Sequence, residues 1–255
     1  RQRRGALRSE LGLDRPLPVQ FVSYVGNALS GDLGTSYRNN QPVSQLLLEQ
    51  YPYTLRLAFS GMFVTIVLGL SFGILAGLWP GSLIDRALVF VATLGIAAPT
   101  FWLGLMFIWV FAIIFPVFPV LGVGSTKAMV LPAITLGLPG AAIVARLTRS
   151  NLVEVMQRDY MLTARAKGLS GQLMVLRHAM PNVLAPVLTV MGLQFGNLMT
   201  GTVIVETVFS RPGIGRLGVD AILNADYPIG QGFTLALAAT YVVLDLLVDV
   251  LQMAL

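Results

Sequence analysis

Four long stretches of this chain carry no charged side chain, and they restrict its possible folds more than any other feature. They lie between Arg56 and Asp85, Arg86 and Lys127, Lys127 and Arg146, and Arg177 and Glu206. A hydrocarbon core about 30 Å thick needs about 20 mostly apolar residues per helix, and each stretch can hold one. Of the 255 residues, 11% are charged and 55% hydrophobic, against roughly 25% charged in a soluble domain. So few charges cannot cover so much apolar surface in water. The expected fold class is all-α, a polytopic membrane protein.

Other classes fall away on composition. The chain has no cysteine and one histidine, His178, which excludes disulfides, thiolate metal sites and paired-histidine zinc motifs. Arg1-Gln-Arg-Arg-Gly leads into a polar segment, so no cleavable signal peptide is visible. The net charge of +5 invites a nucleic-acid reading. The arginines instead gather beside span ends, as cytoplasmic loops require; no nucleic-acid partner is expected.

Proline and glycine punctuation divides the chain. Residues 1–54 read as a partly helical extramembrane segment, and residues 55–255 as a transmembrane domain. A first span over Leu55–Trp79 ends at Pro80-Gly81; Gly69, Gly73 and Gly77 give it a smooth face for a close neighbour. A second covers Ala87–Phe115 with a kink at Pro99, and a third Leu131–Arg146 with a kink at Pro139-Gly140. A fourth spans Val183–Ile204 and a fifth Phe233–Leu255.

Between the third and fourth spans, the loop of residues 146–182 holds Arg146, Arg149, Arg158, Arg165, Lys167 and Arg177 against only Glu154 and Asp159. That excess marks the cytoplasmic side. The opposite loop, residues 206–232, sets Arg211 and Arg216 against Glu206, Asp220 and Asp226, and belongs outside. Within the basic loop, Asp159-Tyr-Met-Leu-Thr-Ala-Arg-Ala-Lys-Gly168 reads as a short helix. An acid sits at its positive end and a glycine stops it. A second helix opens at Ser170 and closes at Pro181-Asn182. Small residues Ala164 and Ala166 suit a groove on another protein, with Arg165 and Lys167 left to pair with acids there. The plainer alternative is a basic loop resting on anionic headgroups.

Here the sequence resembles the membrane subunits of binding-protein-dependent ABC importers, whose cytoplasmic signature is E-A-A, three residues, G, nine residues, I-x-L-P. Aligned on Gly168, the chain supplies Ala164, Met180 in place of Leu, and Pro181; Leu162 and Thr163 replace the Glu-Ala opening. The form Asp-Tyr-x-x-Thr-Ala-Arg-Ala-Lys-Gly-Leu is similar to the dipeptide, oligopeptide and nickel permease branch, glutathione permeases included. So are Glu10-Leu-Gly-Leu-Asp-Arg-Pro, Gly31-Asp-Leu-Gly, Glu206-Thr-Val-Phe-Ser-Arg-Pro-Gly-Ile-Gly, and Asp226-Tyr-Pro with Gln231-Gly.

The resemblance implies a type I importer permease fold in a bacterial inner membrane, moving di- or oligopeptides or similar solutes by alternating access. Residues Asp159, Tyr160, Thr163, Ala164, Arg165, Ala166, Lys167, Gly168 and Pro181 would form the coupling element that docks on an ATPase. Glu206, Phe209, Pro212, Gly213 and Gly215 would contact an extracytoplasmic solute-binding protein. The implied partners are a second homologous permease, two ATP-binding subunits and that binding protein, all around the lipid bilayer. ATP and magnesium would be held by the ATPase subunits. This chain has no G-x-x-x-x-G-K-[ST] loop, so neither a cofactor nor catalysis is expected of it.

Two further groups carry rival readings. Gln194, Asn197 and Gly201 share one face of the fourth span, as a solute pathway or as an interhelical hydrogen-bonding site. Asp245 and Asp249 lie one turn apart in the fifth span, and intramembrane acids suggest function. They define the alternative of an ion-coupled secondary transporter. Asp249 lies ~24 Å along the helix from Phe233, near the cytoplasmic face, where a solvated acid is also at home. Five spans put residues 1–54 outside and Leu255 inside, although the first segment holds six arginines. A missing first helix, giving six spans in all and two cytoplasmic termini, resolves that conflict.

Overall fold

The structure, a computed structural model, describes residues 16–253 except Leu121 and Val123. The Glu10–Arg15 part of the resemblance, the arginines at 1, 3, 4, 8 and 15, and the end at Leu255 lie outside the described residues. Among the described residues every named element is helical, and the sole β pairing is an isolated bridge between Thr35 and Pro42. Four helices are long and apolar enough to cross a membrane, or five if one sharply bent pair counts as a span.

Helix α1 (Leu17–Leu29) has no buried residue. A tight turn follows, with positive φ at Gly31 and Gly34. Helix α2 runs over Val43–Leu78, starting twelve residues before the expected Leu55. At 1.5 Å per residue it is ~54 Å long, well beyond a bilayer's hydrocarbon thickness. The surplus is amphipathic: Val43, Leu46 and Leu47 pack with Ile214, Ala221, Ile229 and Phe233 in a cluster beyond the spans.

Lower down, α2 lies against α5 (Thr126–Met156). A Cβ added at Gly69 would stand 2.7 Å from Val144 Cβ, one at Gly73 2.5 Å from Thr148 Cβ, and one at Gly77 2.9 Å from a Leu152 methyl. The three glycines therefore let α5 approach, as their spacing suggested. Helix α5 is the most buried span. It passes through Pro132 and Pro139 without interruption and runs ten residues past the expected end at Arg146. Leu152 and Val155 are buried there, and charge alone does not stop a helix.

The second span is broken, not kinked. Helix α3 (Leu83–Ala97) and helix α4 (Thr100–Ile108), which continues as a π-helical turn over Trp109–Ile114, meet at 109°. Pro99 supplies no N–H and drives Ala98 into the extended region at φ −82°, ψ 129°. Even so the pair bridges both ends of the bundle. Asp85 meets Arg149 near one end, and Gly104 meets Val208 and Phe209 at the other.

Helix α6 (Asp159–Ala166) follows α5. A single turn at Gly171–Leu173, capped by Ser170, passes through a π-helical segment, Met174–Ala179, into α7 (Met180–Val208). The expected stop at Pro181 does not occur. The helical backbone runs on from Gly171 to Val208, and Pro181 sits exposed just after the π-helical segment. Helices α8 (Ile214–Leu223) and α9 (Tyr227–Met253) complete the chain. By the positive-inside rule, the α6 end is called inner below and the α8 end outer.

Candidate functional site

At the inner end, α6 is fixed to the bundle by two residues. Met161 and Ala164, at i and i+3, are buried in a cluster with Leu152, Val155 and Met174. Asp159 opens the helix and Arg165 lies in its last turn, both favourable to the dipole. Its C-terminus is tied by Gly168 N donating to Arg165 O (3.0 Å) and Leu169 N to Ala164 O (3.3 Å). Gly168 takes φ +75°, which a side chain would resist.

The remaining positions face away. Asp159, Tyr160, Leu162, Thr163, Arg165, Ala166 and Lys167 are exposed, and neither Arg165 nor Lys167 makes an ion pair among the described residues. Ala164 corrects the expectation drawn from the sequence: its methyl points into its own chain, so the outward small residue is Ala166. Pro181 lies beyond α6, in the first turn of α7.

Sequence reasoning missed a half-buried ion pair on the helix that leads into this element. Arg149 on α5 donates from Nε to Asp85 Oδ1 (2.5 Å) and from Nη2 to Asp85 Oδ2 (2.7 Å). Asp85 is 3% exposed and also accepts from Gly81 N (2.8 Å), while its own N–H donates to Ser82 Oγ (3.1 Å). The available signal was a lone acid at the start of an apolar run.

Midway along α7, Gln194 is buried and Asn197 exposed, and Asn197 Nδ2 donates to Gln194 Oε1 at 3.3 Å. Gly201 makes room for Leu136, whose Cδ1 would lie 2.8 Å from an added Cβ. Of the expected strip only Asn197 is exposed. An exposed line of Thr189, Leu193, Asn197, Thr200 and Ile204 runs along α7 instead, at helical spacing that a search for amides overlooks. Asp245 and Asp249 are exposed on α9 and have no hydrogen-bond or ion-pair partner among the described residues.

At the outer end, the residues expected to meet a binding protein are largely enclosed. Glu206 is 0% exposed and Phe209 1%; Gly213 and Gly215 are buried and Pro212 half-buried. The carboxylate of Glu206 accepts from Thr54 Oγ1 (2.6 Å) and Arg216 N (3.1 Å), and Thr54 Oγ1 accepts from Ile214 N (2.9 Å). Arg211 donates from Nη1 to Ala128 O (3.2 Å) and Gly122 O (3.3 Å). Burial pushes its guanidinium below its ordinary pKa, partly offset by the Glu206 charge. Asp226 accepts from Ser36 Oγ at 2.6 Å, tying the turn before α2 to the start of α9. These side chains brace α2, α5, α7 and α8 against one another. The exposed residues nearby are Ser210, Asp220, Ile222, Leu223 and Tyr227.

An all-helical bundle with a short, outward-facing cytoplasmic helix and a locked outer cap is the architecture of an ABC-importer membrane subunit. The chain belongs to the family of binding-protein-dependent transport system inner membrane components, whose model matches residues 69–255. It is a transport permease of the inner membrane, a component of a binding-protein-dependent system, and not an enzyme.

Within that family it falls in the glutathione-type branch. It is 42% identical over 248 residues, 97% of this chain and 81% of the relative, to the glutathione transport system permease protein GsiC of Escherichia coli O6:H1. The GsiC proteins of Salmonella typhimurium and Escherichia coli K12 are 41% identical over the same lengths. The MetNI methionine ABC transporter, solved in inward-facing conformations, shares the fold at TM-score 0.68 and 19% identity, over 82% of this chain and 96% of that one. An amino acid ABC transporter matches at TM-score 0.66 and 15% identity, over 83% and 95%.

Proposed function

We propose that this permease subunit carries glutathione or similar di- and oligopeptides inward by ATP-driven alternating access, with α6 as the element through which a separate ATPase acts. The observation that carries the reading is the division of α6 into two faces. Met161 and Ala164 anchor it to the spans, while Tyr160, Leu162, Arg165, Ala166 and Lys167 are presented outward. A lever needs both a fixed face and a free one. Unpaired cations on the free face suit an acidic groove, and rigid-body rocking of membrane helices about a central site is the usual basis of alternating access. The similarity to GsiC supports a peptide-like thiol solute. Asn197, on the exposed line of α7, offers the amide that a peptide backbone needs. Residues 16–54 serve as an extracytoplasmic brace and residues 55–253 as the transport domain.

The test is reconstitution of the chain in liposomes with its co-encoded permease, ATPase and binding-protein partners. Uptake of labelled glutathione and of a dipeptide is then followed with ATP, with a non-hydrolysable analogue, and with an uncoupler. Uptake that needs both ATP hydrolysis and the binding protein, and ignores the uncoupler, is expected. Uptake abolished by the uncoupler with ATP intact would overturn the mechanism. Transport of neither solute would overturn the substrate class.

A further inference from the structure

We infer that Asp85 and Arg149 are positioning residues: a strut that carries movement of the coupling helix into the broken second span. The inference rests on α6 being the coupling element. Arg149 lies on α5 two turns before that helix ends at Met156 and hands over to α6. Asp85 lies in the first turn of α3, whose other end is the 109° break at Ala98-Pro99. The pair thus joins α5, the helix that leads into the lever, to one arm of that 109° break.

Three observations separate a strut from a pair that merely adds stability. The first is directionality. The planar guanidinium meets both carboxylate oxygens, at 2.5 and 2.7 Å, and Gly81 N fixes the same carboxylate from behind. A two-point fork resists sliding and rotation, as a single contact does not.

The second is its place at the end of a shallow groove. That groove, lined by Phe72, Ala76, Val89, Thr93 and Ala145, lies between α2, α3 and α5 and reaches Arg149. Further along α3 the contacts with α5 are apolar, with Ala92 buried and Leu138 3.4 Å from a Cβ added at Gly95. The ion pair is the directional link between the two helices.

The third is energetic. Asp85 is buried but the Arg149 side chain is 32% exposed, and a pair in such a site gains little. Exposed pairs are screened by solvent, and buried ones often add no more than apolar replacements. Stability alone therefore does not account for a fork at this position, whereas fixed register does.

The experiment compares Arg149→Lys, Arg149→Met and the double variant Asp85→Leu/Arg149→Met in the full complex. Assembled complex, ATP hydrolysed and solute moved are all measured. Lysine keeps the charge but not the fork, and the double variant removes both charges without stranding either. All variants that assemble should hydrolyse ATP within about twofold of wild type. Solute moved per ATP should fall at least tenfold in the two methionine variants and less in Arg149→Lys.

Restoration of transport per ATP by the double variant would show that the pair serves only to neutralise buried charge, and would overturn the strut. So would transport that merely tracks the amount of complex, or failure of all three variants to assemble. Gly168→Val, run in parallel, separates the two readings. If it transports normally, the coupling role of α6 fails; if it is impaired while the Arg149 variants stay coupled, only the strut fails.

Discussion

The two ends of the bundle use the same residue types for opposite purposes. At the outer end, Glu206, Arg211 and Asp226 are buried and hydrogen-bonded. Gly213 and Gly218 pack so closely that added Cβ atoms would collide with the Glu206 carboxylate and the Phe233 ring. At the inner end, Asp159, Arg165 and Lys167 are exposed, and Gly168 and Gly171 have nothing within 4 Å of an added Cβ. Polar residues lock one end and lie open at the other. A family motif marks both ends equally, so it records that a residue matters without saying whether its role is inside the chain or beyond it.

That contrast is broken most directly with glycine. Gly213→Val should destabilise the purified permease by at least ~3 kcal/mol, since the carboxylate it strikes is held by its own partners. The obstacle is space alone, because φ 162° is ordinary extended backbone. Gly171→Ala, at a helix start in open space, should shift stability by under ~0.5 kcal/mol. Thermal unfolding in detergent measures both, and equal shifts would erase the difference between the ends.

Thr54→Val is the next smaller change. The hydroxyl both donates to Glu206 and accepts from Ile214 N, so valine leaves the buried Ile214 N–H without its partner and Glu206 with one donor fewer, Arg216 N remaining. A loss of about 1–3 kcal/mol is expected, with normal ATPase stimulation in whatever fraction assembles. A loss of stimulation at full stability would make the outer network part of the transport cycle and not a brace.

Much of the fold was legible in the sequence because a charge-free run in a membrane protein has few alternatives. The glycine face of α2 was legible too, since close approach of another helix needs small residues in register. The bends were not. Pro52, Pro132, Pro139 and Pro186 lie inside continuous helices, whereas Pro99 separates two. The residue is the same, and exposure does not decide the outcome. Pro52 and Pro186 are exposed, as Pro99 is. Pro132 is buried where α5 presses on α2, with Thr65 Oγ1 donating to Gly137 O at 2.9 Å.

Helix α6 was readable as a local motif, with its acid, its glycine and its spacing. Its buried face was not, because Ala164 and Ala166 look alike until the cluster around Met161 is known. Glu206 with Thr54, Ser36 with Asp226, and Asp85 with Arg149 join distant segments, and no periodicity links their positions.

Gly168→Val tests the inner end at moderate cost. Valine at φ +75° is strained by about 1–2 kcal/mol, but it meets no neighbour, so the permease should still insert and assemble. Solute-stimulated ATPase activity and transport should be lost. Transport within about twofold of wild type would remove α6 from the coupling role. Arg165→Glu should leave the unfolding temperature unchanged. Because exposed charge interactions are screened by salt, its weakened association with the ATPase should be strongest at low ionic strength. A defect that ignores salt would point to packing in place of charge pairing.

The smallest perturbation decides which end is which. Ser36 would be a natural reporter for the outer turn, but it is 1% exposed and hydrogen-bonded to Asp226, so a cysteine there would be shielded on either side of the membrane. Asn39 lies in the same turn with its side chain exposed. Ser170 is equally unsuitable inside, since its hydroxyl caps the following turn by accepting from Leu173 N; Gln172 is exposed and caps nothing. The chain has no cysteine of its own, so each substitution gives a single labelling site. Asn39→Cys should react with a membrane-impermeant thiol reagent in intact cells, and Gln172→Cys only after permeabilisation. The reverse pattern would place the braced end in the cytoplasm and α6 outside, beyond reach of any ATPase. Both the coupling assignment and the strut built on it would then be lost.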